Sequence, residues 1–163
     1  MDSNQAQFDL ECCDARPQAR HLLTTAIEAL VLQLLTAINA IAGLPLPERP
    51  PEVVFVSHSD LEAQACDRPC NVQGWFPPGR VVYLDEGLDP QNDIWGRSIL
   101  VHELVHYLQQ EEGSFTEAGT CEAWMKREAE AYEIRYRCRL AQPVPPRLLR
   151  RISRPFLRIG CRA

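Results

Sequence analysis

Apolar positions recur at two different periods along this chain, and each switch of period marks an element. From His21 to Ala42, Leu22, Leu23, Ala26, Ile27, Leu30, Val31, Leu34, Leu35, Ile38 and Ile41 are spaced by one, three and four. That stripe predicts one long helix with a wide buried face. Gly43 and the prolines at 45, 47, 50 and 51 end it. Glu28, Gln33, Thr36 and Asn39 interrupt its apolar run, which is too short to span a bilayer, so no transmembrane segment is expected. Glu52-Val53-Val54-Phe55-Val56 and Arg80-Val81-Val82-Tyr83-Leu84 are short β-branched runs that predict strands. Between them, Ser57-His58-Ser59-Asp60 leads into a short helical piece to about Cys66, and residues 71–79 are rich in turn formers.

The second half is helical. Ile94, Ile99, Leu100, Val101, Leu104, Val105 and Leu108 describe a helix covered by protein on most sides. Asp93, or Asp89 followed by Pro90, can cap its start, and Gly113 is placed to end it. A further helix is predicted to about Leu140, before Pro143, started by the capping box Ser114-Phe115-Thr116-Glu117 or by Thr120. The order of elements indicates an α+β fold. The length fits one domain over residues 1–163, with a polar segment at 1–16 and a basic tail at 143–163.

The chemistry lies on the buried helix. His102-Glu103-Leu104-Val105-His106 reads His-Glu-x-x-His. Four residues apart on a helix, the two imidazoles sit one turn apart on nearly the same face and can bind one metal ion. Glu103 is left beside them, free to act on a metal-activated water as a general base. The alternative for such histidines is a packing role with a carbonyl partner.

A third ligand should follow on the next helix, which carries Glu117, Glu122, Glu128, Glu130 and Glu133. Cys121, Trp124, Met125, Glu128, Ala131 and Tyr132 share one face by the three-four spacing rule, and Glu128 is the lone acid on it. A carboxylate among apolar neighbours is costly unless paired or bound to a metal. Glu130 lies instead with Lys126, Arg127, Glu133 and Arg137 on a charged face. Glu128 is therefore the expected ligand, with Glu130 as the alternative.

These residues carry a resemblance. Ser98 to Gln109, followed by Arg127-Glu-Ala-Glu-Ala-Tyr132, resembles the zincin metallopeptidases, closest to the gluzincin branch, whose third ligand is a glutamate on a downstream helix. It is also similar to small uncharacterised bacterial domains with a His-Glu-Leu-Val-His-x-Leu-Gln helix. The resemblance covers roughly residues 74 to 140. It implies a minimal zincin-like domain that holds Zn2+ with His102, His106 and Glu128, uses Glu103 as the catalytic base, and hydrolyses a peptide or protein substrate. The branch often continues its ligand as Glu-x-x-Ala-Asp or Glu-x-x-Ala-Asn, where the last residue orients a ligand histidine. Here Tyr132 stands at that place. The family also implies that the strand before the zinc helix, Val81 to Leu84, edges the cleft and could pair with an extended peptide; the alternative is an ordinary sheet strand. Trp75 and Phe76 would wall the cleft or merely pack. Oxyanion stabilisation could fall to His58, Tyr83, Tyr132, Tyr136 or an arginine.

Charge adds a second possibility. Every charged residue after Glu133 is arginine, nine in all, so the rest of the chain carries −14 against a net −5. The stretch Pro145 to Ala163 interleaves six of those arginines with Leu148, Leu149, Ile152, Phe156, Leu157 and Ile159. It reads as a segment that packs on its own acidic body, or docks on an acidic partner or an anionic membrane surface. No nucleic-acid partner is expected. A catalytically silent binding module with a structural zinc is the other alternative to an enzyme. The seven cysteines include Cys66-Asp-Arg-Pro-Cys70, spaced for a local bridge or, less naturally, a second metal. Met1 to Arg16 does not read as a signal peptide, so a cytoplasmic location is the expectation, although the cysteine content leaves an exported form open.

Overall fold

A computed structural model of the protein describes residues 16–114 and 120–141, with side chains described from residue 26 onward. The expected polar start and basic tail, and the Phe115-to-Glu117 part of the alternative capping box, lie outside the described residues. The elements run α1 (Arg16–Ala42), β1 (Glu52–Val56), α2 (His58–Ala65), β2 (Gly74–Trp75), β3 (Val81–Asp85), α3 (Ile94–Glu111) and α4 (Cys121–Leu140). Helices packed against a small mixed sheet make this an α+β fold. No described helix is long and apolar enough to cross a membrane.

α3 is the axis of the molecule. Its first turn is capped by Asp93, whose carboxylate accepts from the Gly96 amide at 2.8 Å. From Ser98 to Gln109 every residue is buried. A helix with no solvent face needs neighbours all round. α1 supplies Val31, Leu34, Leu35 and Ile38. β3 supplies Val82 and Leu84, and α4 supplies Ala131, Ile134 and Cys138. The α3 end follows from Gly113, whose φ of 82° suits only a residue without a Cβ. α1 stops in the same way at Gly43, at φ 74°, and Asn39 donates a side-chain hydrogen bond to the Leu44 carbonyl at 2.8 Å.

The sheet order is β1-β3-β2. β1 runs parallel to β3, pairing Glu52 with Val81 through to Val56 with Asp85. β2 runs antiparallel to β3, pairing Gly74 with Leu84 and Trp75 with Tyr83. This corrects the expected cleft edge. Val81 to Leu84 lies in the central strand: β1 pairs all of it on one side and β2 covers Tyr83 and Leu84 on the other, so those two residues have no edge to offer a peptide. The edge toward the site is β2, inside the stretch that reads as turn. Two residues are too short to show a strand period, which is why the pattern hides it.

Two ties hold the loops that frame the cleft. The Gln110 side chain pairs with both backbone groups of Gly79, at 2.6 and 2.9 Å, clamping the β2–β3 turn to α3. Cys66 and Cys70 are joined by a disulfide at the end of α2. A local bridge, not a second metal site, accounts for that spacing.

Candidate metal centre

The spacing on α3 does what the helix repeat requires. The His102 and His106 rings lie 4.7 Å apart, with their Nε2 atoms at 3.1 Å. α4 brings Glu128 to both: its carboxylate oxygens lie 3.2 Å from His102 Nε2 and 2.9 Å from His106 Nε2. These three side chains form the group of donors, all within 4.8 Å of one another, that could hold a metal ion. Donors about 2.0–2.1 Å from a tetrahedral centre stand about 3.3 Å from each other. The observed separations fit that cage. Both imidazoles are buried, and Glu128 is mostly covered.

Hydrogen bonds behind the cage settle which nitrogen faces it. The Gln109 amide nitrogen donates to the Arg127 carbonyl at 3.0 Å and to Glu130 Oε2 at 2.9 Å. That leaves its oxygen to accept from His106 Nδ1, at 2.9 Å. With its proton held on Nδ1, a neutral His106 presents an Nε2 lone pair to the cage. Gln109 and Glu130 thus act through His106. Glu130 is no ligand here; it is exposed, as its charged face implies, while its carboxylate holds Gln109. The spacing rule could have found Gln109, three residues beyond His106. Gln109→Ala should weaken metal binding about 10–100-fold without removing a ligand, measurable by competition with a chelating dye.

His102 differs. Its Nδ1 is buried with no hydrogen-bond partner, and the Tyr132 ring lies over it, centroids 4.6 Å apart at 55°. Where the gluzincin pattern expects an acceptor, this chain has a ring contact.

Glu103 lies on the neighbouring face, buried, with Gly74 of β2 against it. A Cβ at Gly74 would come within 2.7 Å of Ile99 Cγ2 and 3.0 Å of Glu103 Oε1. Only glycine lets the edge strand approach so closely. Burial drives the Glu103 carboxyl above the usual carboxylate range, although the two histidines oppose this. Glu128 is the reverse case. Burial works against its charge, but hydrogen bonds from His102 and His106 pull its pKa down to about 2. Burial also opposes a charged His106, yet the Glu128 hydrogen bond and the nearby Glu103 charge outweigh it and raise that histidine above 6.5.

His106 therefore holds a proton at Nε2, the atom a cation would take, more readily than a free imidazole does. Metal and proton compete for one nitrogen, so metal affinity should fall as pH drops through the raised His106 value. Loading at or below that value should release a proton, seen as a dependence of the titration enthalpy on buffer.

The cleft over these groups holds about 270 Å³. Its walls include Asn71 to Phe76 on one side and Trp124, Arg127, Tyr132 and Arg135 on the other, with Cys66 at the rim. Trp75 and Phe76 thus line the cleft. Trp75 also stacks on Tyr83 at 5.9 Å, and Phe76 meets Tyr107 edge-on at 5.8 Å. Trp124 and Met125 are 39% and 53% exposed, so the ligand face of α4 is cleft wall at its start and core only from Ala131. Of the residues suggested for the oxyanion, His58 is bound to Asp85 at 2.7 Å and Tyr136 is exposed. Neither they nor Tyr83 line the cleft; Tyr132 and two arginines do. No protein-family model, curated protein or solved structure matches this chain. What the site can do follows from its own residues.

Proposed function

We propose that this protein is a zinc-dependent peptidase of zincin type, with Glu103 as its general base. The observation that carries the reading is a buried carboxylate at 103, outside the ligand set yet beside it, opening on a cleft with a strand edge. A structural metal has no use for such a group, and burying it costs stability.

Two imidazole nitrogens and one carboxylate are a donor set suited to zinc. Zinc bound by His102, His106 and Glu128 would acidify water and polarise a peptide carbonyl. The remaining chemistry belongs to the chain. Glu103 accepts a proton at its carboxylate and returns it to the leaving amine. Burial raises its pKa above that of a free carboxyl, which favours the return of the proton. β2 can align the peptide. The Asp85 amide bonds the Gln73 carbonyl, and antiparallel pairing alternates, so the Gly74 N–H and C=O point to the open edge. An extended peptide pairing there passes directly over Glu103. Tyr132 offers its hydroxyl from the opposite wall.

The test is hydrolysis of a mixed peptide library by the zinc-loaded protein. Cleavage should vanish with a chelator and return with zinc. Full metal occupancy without cleavage of any peptide would leave a non-catalytic binding module instead.

A further inference from the structure

We propose that Arg135 is an anion-binding group of the cleft, selecting ligands that present a carboxylate beyond Tyr132, one to three residues from the scissile bond. The inference rests on the peptidase reading for its substrate, but its binding claim stands on geometry.

Arg135 lies seven residues beyond Glu128, on the same face of α4, and lines the same cleft. Its Nε donates to Ser98 Oγ at 2.5 Å. Its guanidinium stacks 5.0 Å from the Trp95 ring and 5.9 Å from the Tyr132 ring. No Asp or Glu among the described residues forms an ion pair with it, and Ser98 is its sole hydrogen-bond acceptor there. The terminal nitrogens are not sealed in the core. Their donors remain available to the cleft.

A half-buried cation with no ion-paired carboxylate among the described residues, and only the charge of Glu103 acting on it through space, is an unusual arrangement, because removing charge from water is costly unless something repays it. Two aromatic faces and one hydroxyl compensate in part. They also fix the side chain, so the ordering that binding normally demands has already been met. A planar guanidinium held this way matches a carboxylate with two parallel hydrogen bonds. The neighbouring arginines are otherwise engaged: Arg97 and Arg137 donate to backbone carbonyls, and Arg127 donates to the Ser114 carbonyl. Steps of 4.6 and 5.9 Å separate the His102 ring from the Tyr132 ring and that ring from the guanidinium. That reach is about one to three residues of extended chain.

The carboxylate could be a peptide's C-terminus or an acidic side chain, and the experiment separates them. Three acetyl-capped tetrapeptides of one sequence are titrated into the zinc-loaded full chain carrying Glu103→Gln, which keeps them intact. One ends in a free carboxylate, one in an amide, and one in an amide with glutamate for glutamine at its last position. The carboxylate peptides should bind about ten- to a hundredfold tighter than the neutral one. Whichever charged peptide binds better identifies the source. Arg135→Gln, made in the same background, should erase the preference while zinc content and melting remain normal. Arg135→Lys should keep part of it, as a point charge without the fork. Equal binding of charged and neutral peptides, or none of any, overturns the proposal. So does a preference that survives Arg135→Gln, which would place the carboxylate elsewhere. If Arg135→Gln fails to fold, Arg135→Lys takes its place, and a preference left undiminished there overturns the proposal. Binding is read without turnover. A protein that never cleaves peptides but shows the Arg135-dependent preference sinks the peptidase reading only, and one that cleaves without the preference sinks this one only.

Discussion

Glu128→Ala is expected to lose its metal through gel filtration, while Glu130→Ala keeps it. The two positions are two residues apart, so the helix repeat turns them about 200° from each other. Glu128 reaches both Nε2 atoms, at 2.9 and 3.2 Å. Glu130 reaches only the Gln109 amide, at 2.9 Å. Removing one donor of three should weaken binding by more than the roughly 10–100-fold typical of partners behind the ligands. Losing Glu130 should cost at most about tenfold, because the Arg127 carbonyl still orients Gln109. Metal-to-protein ratios and competition titrations read both effects. If both variants lose metal equally, the donor set has been misassigned.

Glu103→Gln should separate catalysis from binding more sharply. The amide keeps the shape and loses the proton acceptor, so hydrolysis should fall by about 10²–10⁴-fold with zinc content unchanged. Stability should move the other way. Burial raises the Glu103 pKa above its unfolded value of 4.5, which means the fold disfavours the ionised form. Its contribution to stability is therefore lost as pH rises from 4.5 through the raised value. At neutral pH the metal-free wild type bears that penalty and the glutamine variant does not. The variant should melt higher at pH 7, with the gap closing toward pH 4. A trade of stability for reactivity is characteristic of a working site. Unchanged hydrolysis in this variant would refute the general-base role.

The helices were readable because each rests on local physics. The 102–106 spacing places two imidazoles on one turn of any helix, and capping by Asp93 and Thr120 follows from side chains next to the first free amides. Phase alone also ranked Glu128 over Glu130. The reading failed where contact crosses the chain. β2 is two residues long and is a strand only because Tyr83 and Leu84 pair with it. The resemblance offered Val81 to Leu84 as a cleft edge or an ordinary strand, and nothing local says that β1 and β2 flank it. Trp124 and Met125 share the apolar face of Glu128, but periodicity does not say that this end of the face stays exposed.

By itself, then, the sequence determined the α+β content, the paired histidines, the carboxylate between them and the face from which a third donor would come. Tertiary structure alone decided that α4 crosses α3 where Glu128 meets both imidazoles, that Gly74 lies against Glu103, and that Arg135 stands in the cleft with no ion pair among the described residues. The reason is range. Helical periodicity fixes positions within a few residues, whereas the meeting of segments tens of residues apart is set by how Leu104, Ala131 and their neighbours pack, and periodicity carries no record of that.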